Sequence, residues 1–380
     1  MFQLALVHAL ALSAFGAQDF SPSSVHRTAT DGDRNYARIA FNFYDQKDHG
    51  GNPNKNDSIR VWEPVLLVVP SMSDKWTGKF KLQGDVIASS TVGTDATTTA
   101  SGAKRSPLLP GEAFFRTEAA AFYAWSDQLT VGGGLIYSTE PDYKSRGVYL
   151  QSTFDLPSHN DTFLLKATGF FDALDLNFFD DTSGGSDHRR TLALGPGWTH
   201  IFGPGTVGMI NWDFTSQQGF LATPINSVKA AGTEVREILP DSRIRNAIHA
   251  RVRQLMSPTW AVEPGIGYYH DSWGATAWNF EITSTWEARP AELYVEPSFR
   301  FHTQTAVDYF VPDSAASIPE FRTQDADLDK YMSGTFGLNF ILPHTTWTGE
   351  YSEFNFGADL TWRSDGLDSF TLTVGYMWKY

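Results

Sequence analysis

The sequence predicts an all-β fold, a transmembrane antiparallel up-and-down β-barrel of about 16 strands. Three observations carry this. Segments of ~10 residues alternate apolar and polar positions and are separated by runs of Gly, Pro, Ser, Asp and Asn. The composition is 14% aromatic and carries 32 Gly, yet only 41% of it is hydrophobic. The chain also closes on an alternating segment that ends in an aromatic residue. Beyond the N-terminus no stretch nears the ~18 apolar residues that a spanning helix needs, which excludes a helical membrane protein. The aromatic content excludes disorder. The absence of Cys removes disulfides, thiolate metal sites and a Cys nucleophile. A net charge of −14 without a dense basic patch argues against a nucleic-acid partner.

The elements follow in chain order. Leu4 to Gly16 is apolar except for His8 and Ser13, the length of a secretory h-region and too short to span a bilayer. Small residues at Ala14 and Gly16 suit cleavage after Gly16 or Ala17, although Met1-Phe2-Gln3 brings no positive charge. The expected organisation is a signal peptide over residues 1–17, a periplasmic lead-in over 18–34 and a barrel over 35–380.

Strands are expected to begin near Asn35, Asp57, Lys75, Ala113, Gln128, Asp142, Asp161, Arg189, Thr206, Arg243, Thr259 and Ala275. Four more follow. Leu293, Val295, Pro297, Phe299 and Phe301 alternate with polar neighbours. So do Met332 to Phe340 and Phe354 to Leu360. In the last, Phe370, Leu372, Val374, Tyr376, Trp378 and Tyr380 share one face. That face resembles the C-terminal signal read by barrel-assembly machinery.

Connection lengths sort by side. Pro70–Asp74, Ser126-Asp127, Leu156–Asn160, Phe202–Gly205, Met256–Pro258, Glu287–Pro290 and Leu342–Thr348 read as short periplasmic turns. The long connections alternate with them: Gln46–Asn56, Ser89–Glu112, Ala173–His188, Ser216–Ser242 and Ala306–Leu328. Trp76, Trp125, Trp198, Trp260, Trp286, Trp347 and Trp378 fall near the periplasmic side, where indoles suit the headgroup level.

Several motifs, in order, resemble an uncharacterised bacterial outer-membrane barrel family, domain of unknown function 3570. They are Val61–Leu67, Ser138–Ser145, Gly219–Pro224, Pro240–Arg243, Tyr269–Gly274 and Gln304–Phe310. Val86–Ser90 departs from the pattern in lacking Asp and Gly. The resemblance implies an outer-membrane barrel without an assigned substrate. It also implies a redox context, through neighbouring flavin-transfer or thioredoxin-like envelope proteins.

The lumen is where function is expected. Arg243, Arg245, His249, Arg251 and Arg253 share one strand face, opposite Ile244, Ile248, Ala250 and Val252. Glu263, Asp271, Glu281, Glu292 and Glu296 are the acids expected to face them. One reading is a transverse field that orients charged solutes. The other is an internal salt-bridge network, since buried ions need partners. At sixteen strands the lumen reaches the size of an aqueous channel. Two outer loops are long enough to fold inward, Ser89–Glu112 and Ser216–Ser242, and the second is the better candidate.

Weaker signals remain. Asp325-Ala326-Asp327-Leu328-Asp329 resembles the start of a calcium loop, but its Gly and closing Glu are missing, so a solvated acidic loop is expected and no metal. His270-Asp271 near the outer rim is the seed of a hydrolase reading, but no catalytic residue is assigned. No cofactor motif is present. The expectation is a porin-like channel in a bacterial outer membrane, with lipid, lipopolysaccharide and the assembly machinery as partners. The alternative is a plugged scaffold barrel serving a periplasmic partner.

Overall fold

The computed structural model describes residues 35–49, 59–89, 97–98, 104–105, 114–140, 142–158, 160–180, 182–346 and 349–380. The expected signal peptide and lead-in, Trp347 and most of the loops after residues 49 and 89 lie outside them. Sixteen antiparallel strands close into one barrel. They are β1 (Tyr36–Asp48), β2 (Ile59–Val69), β3 (Trp76–Ser89) and β4 (Phe114–Ala124). Next come β5 (Leu129–Glu140), β6 (Tyr143–Asp155), β7 (Asp161–Asn177) and β8 (Ser183–Gly203). The third quarter is β9 (Thr206–Gly219), β10 (Ser242–Ser257), β11 (Trp260–Asp271) and β12 (Thr276–Arg289). The last is β13 (Leu293–Gln304), β14 (Tyr331–Thr345), β15 (Tyr351–Arg363) and β16 (Leu367–Lys379).

Each strand pairs with its sequence neighbour, and β16 returns to β1 in a register running from Tyr36↔Lys379 to Asp48↔Leu367. Closure leaves no unpaired edge, which a spanning sheet requires because lipid cannot satisfy backbone amides. The alternation decides which face points where. Leu135 and Leu150 are 66% and 69% exposed, an arrangement that suits lipid and not water. On the last strand Leu372 and Val374 share this outer face and pair with Phe43 and Phe41.

The aromatic rim follows the same logic. Trp260 pairs directly with Trp286, and Trp76 packs on Tyr123 with centroids 4.9 Å apart. Trp198, Trp260 and Trp286 are exposed at the turn side of the barrel. Trp62, Trp278 and Trp362 lie toward the other end of their strands, and Trp212 lies at mid-strand. Trp273 differs, being buried beneath the outer loops.

Two loop expectations change. Ala173–His188 is not a long loop, because β7 and β8 continue outward and only 178–182 connects them. Leu174 and Leu176 are buried there with Tyr143, and Phe178 and Phe220 pack on them, so the extended pair has an apolar surface to rest on. The Asp325–Asp329 stretch is not a solvated acidic loop. Asp325, Asp327 and Leu328 are buried around a short 3-10 turn, with Asp327 paired to Arg363.

The two halves of the lumen differ. Between β3 and β7 it is filled. Ile136, Tyr149 and Phe170 form a buried cluster beside Ala120 and Phe122. Tyr149 donates to Glu118 at 2.7 Å, Lys79 lies 3.5 Å from the same carboxylate, and Lys166 sits 4.3 Å over the Tyr149 ring. Opposite them the lumen is open.

Candidate functional site

A cavity of about 620 Å³ lies on the side of the lumen lined by β8 to β16 and β1, with Leu164 of β7 at its edge. Its lining runs from the turn side, at Arg38, Glu263 and Glu296, to the outer side, at Val307, Asp327 and Leu328. Two long outer loops form the roof. Leu221 of the first and Val307 and Leu328 of the second pack with Trp273 and Ala275. The hairpin Ser227–Arg236 adds Val228 and Ala230, packed against Val311. Polar latches join the loops. Ile238 and Arg322 exchange backbone bonds of 3.1 and 2.6 Å, and the Gln324 amide bridges Lys229 and Val311. The first loop thus folds onto the second.

At the heart of the latch Glu237 is buried. It accepts from Thr223 N at 2.6 Å, from Thr323 Oγ1 at 2.5 Å and from Asn226, whose amide also reaches Asp325 at 3.1 Å. Burial, with Asp325 beside it, pushes the Glu237 carboxyl up to about 7.

The residues expected to line the lumen divide by position. Arg243, Arg245, His249, Arg251, Glu263, Glu281 and Glu296 face the cavity. Arg253 lies 3.7 Å from Glu263, which Arg251 also approaches at 3.4 Å. Asp271 is at the outer end, fully buried. It accepts from Arg243 Nε at 2.9 Å, Tyr269 Oη at 2.6 Å and the backbone of Trp273 and Ala275. Glu292 is a correction. It is exposed in the turn before β13, where its N–H bonds Arg289 O, because the alternation stops at Leu293. Glu296 accepts from Thr285 and Asn339 at 3.0 Å each.

The salt-bridge reading therefore fits Arg243, Arg251 and Arg253. Arg245 and His249 form no hydrogen bond or ion pair among the described residues. Sequence reasoning missed Arg38, Arg300, Asp213 and Asp359, which also line the cavity. Their signal was present, since Arg300 and Asp359 sit opposite lipid-facing Phe and Leu. With them the lining holds five arginines (38, 243, 245, 251, 300) and six carboxylates (213, 263, 281, 296, 327, 359). Asp213, Glu263 and Glu281 stand on β9, β11 and β12 around the arginines of β10, while Arg300 on β13 and Arg38 on β1 add positive charge to the rest of the wall.

The inner face of β11 carries Gly265 and Gly267 between Glu263 and Tyr269. A Cβ on Gly265 would stand 2.8 Å from Glu281 Oε1, and one on Gly267 would stand 2.6 Å from His249 Cε1. The two glycines let side chains from β10 and β12 lie back against the wall, which widens the cavity at mid-height. His270 and Asp271, the candidate hydrolytic pair, point to opposite sides of β11, one exposed and one buried.

A family model described as "Protein of unknown function (DUF3570)" matches residues 4–347. None of the curated proteins compared with the chain matches it. Among solved structures, one titled "Bacterial polysaccharide outer membrane secretin" has a TM-score of 0.50 at 9% identity, covering 91% of this chain and 99% of the other. Pseudomonas aeruginosa OccD3 (OpdP) gives 0.45 at 9% identity, over 93% of each chain. A TodX monoaromatic hydrocarbon channel mutant gives 0.45 at 12% identity, over 96% of this chain and 94% of that one. At such identities the first likeness establishes the fold, that of an outer-membrane β-barrel.

Proposed function

Because the chain belongs to the DUF3570 family, whose function is unknown, its role rests on its own residues, and we propose that it is a bacterial outer-membrane channel for small polar solutes. The observation that carries this reading is the cavity of about 620 Å³, which runs from the turn side to the roof on one side of the lumen. Paired ions hold the wall. Arg38, Arg245 and Arg300 set against Asp213, Glu281 and Asp359 offer the charges that a passing solute meets. A lining of mixed sign favours small molecules that carry a carboxylate, an amine or both over bulk ions of one sign. The roof makes passage conditional on loop movement.

Swelling of proteoliposomes tests the proposal. Small polar solutes such as glycine and acetate are expected to swell vesicles that contain folded barrel, and a large oligosaccharide is not. Failure of every solute would overturn the reading. It would favour the closed scaffold barrel, for which the filled β3–β7 half is the supporting observation, and that barrel would copurify with a periplasmic protein.

A further inference from the structure

The outward surface of β6, β7 and β8 changes character toward the outer loops. Lys144 and Arg146 point outward from β6, and His188 and Arg190 from β8. Register sets them side by side. Arg146 pairs with Phe171 of β7 and Phe171 pairs with Arg190, so an exposed ring stands between the two arginines. Two strand spacings separate their backbones, about 10 Å. One step further out, Lys144 and His188 flank Ala173 in the same way. None of the four side chains makes an ion pair or hydrogen bond among the described residues. Asp175 is the one acid on this part of the face among the described residues, and it accepts from Ser186 Oγ at 2.9 Å. The outer ends of β16, β1 and β2 differ. There Arg60 donates to Asp45 at 3.0 Å, and Lys47 stands across from Asp368. Lys144, Arg146 and Arg190 gathered against a single acid repel one another, and an anion from outside the chain relieves that repulsion.

Height and neighbours define the anion. Phe163, eight residues before Phe171 on β7, pairs with Trp198 at the turn-side rim. Eight residues at ~3.3 Å each, on a strand tilted by ~40°, climb roughly 20 Å, which is most of the ~25 Å of an apolar band. The cations therefore stand at the level of the outer headgroups, where charge on the lipid face is tolerated. Directly beneath them the surface is apolar and grooved. Val148 and Leu192 flank Gly169, and Leu150 and Leu194 flank Ala167. A Cβ on Gly169 would meet only the Phe171 ring, at 3.9 Å, so the floor of the groove is open to the lipid side. An acyl chain fits along that floor with its anionic head at the two arginines. A soluble anion would use the cations and leave the groove unfilled.

We propose that the outer ends of β6, β7 and β8 form a binding site for a phosphorylated lipid of the outer leaflet. Arg146 and Arg190 hold phosphate oxygens with their forked N–H groups, Lys144 adds charge, and an acyl chain lies over Gly169 and Ala167. The site is on the lipid face of the barrel and does not depend on conduction through the lumen.

Native mass spectrometry of the folded full chain in detergent micelles tests this. The probe is a hexaacyl glucosamine disaccharide carrying two phosphates, and the comparators are the same lipid without phosphates and inorganic phosphate. The phosphorylated lipid is expected to bind saturably, and the phosphate-free lipid about tenfold more weakly or worse. Inorganic phosphate in about tenfold excess is expected to leave the lipid bound. The double variant Arg146→Gln, Arg190→Gln is expected to weaken the phosphorylated lipid by about tenfold or more. Arg60→Gln, at the outer end of β2, should leave it unchanged. Heat-modifiable gel mobility reports whether each variant is folded, and the comparison of the two lipids needs the wild type alone. Equal binding of the two lipids, or wild-type affinity in the folded double variant, would overturn the proposal. Displacement of the lipid by inorganic phosphate would overturn it as well and assign the cations to a soluble anion.

Discussion

The latch between the two outer loops should loosen as pH rises. Glu237 is buried there beside Asp325, with Thr223, Asn226 and Thr323 bonded to it, and its carboxyl is pushed from 4.5 to about 7. Arg189, Arg243 and Arg245 line a small recess together with Glu237 and Asp325. The sign follows from linkage. The latched state holds its proton up to about pH 7, whereas a released, solvated loop loses it near 4.5. The latch is therefore at full strength below pH 4.5 and weakens as pH rises to about 7. Each pH unit in that window costs about 1.4 kcal/mol, so the whole window is worth roughly 3 kcal/mol, or about two orders of magnitude in loop opening. Above it the dependence flattens. Hydrogen exchange of peptides within 226–241 and 305–330 measures this, with each pH compared against Glu237→Gln to cancel the intrinsic exchange rate. The amide keeps an acceptor for Thr223 and Thr323 and does not titrate. Protection in the wild type should fall relative to the variant across the window. A constant ratio, or one that rises with pH, would refute the reasoning.

Three more predictions follow from the wall. Asp271→Ala strips Arg243 of its buried carboxylate, and removing one partner of such a pair costs about 3–5 kcal/mol, readable as a lower urea midpoint in vesicles. An unchanged midpoint would mean that the pair is solvated. Gly267→Ala places a methyl 2.6 Å from the His249 ring and should push that ring into the cavity, lowering single-channel conductance at a stability cost of about 1–3 kcal/mol. Equal conductance would show that the ring does not border the path. Arg251→Glu opposes a second acid to Glu263 and should shift ion preference toward cations, with no shift in reversal potential counting against a role for this face.

The barrel was legible because its rules are local. Period-two alternation fixes which residues meet lipid, and turn chemistry places the short connections, so the strand starts lie within three residues of those read from the sequence except at β8, which begins at Ser183 and not near Arg189. The roof was not. Leu221 meets Val307 and Leu328 across about a hundred residues of chain, and no periodic pattern announces a contact between two loops. Asp325 and Asp327 look like solvated acids because their partners, Asn226 and Arg363, are distant in sequence. Glu292 was placed in the lumen by carrying the alternation one residue past the strand into a turn, where Ala291 has a φ of +56°. Arg300 and Asp359 had the correct parity, but parity alone does not separate a paired wall ion from one that faces a solute.

The central claim is that the open half of the lumen conducts. Single-channel recording of the refolded barrel in a planar bilayer, under a salt gradient and above pH 7 where the latch is weakest, addresses it most directly. The account predicts defined open steps with a reversal potential near zero, since five arginines and six carboxylates line the cavity, and longer closures as pH is lowered toward 4.5. Silence at every pH from a barrel shown to be folded would contradict it.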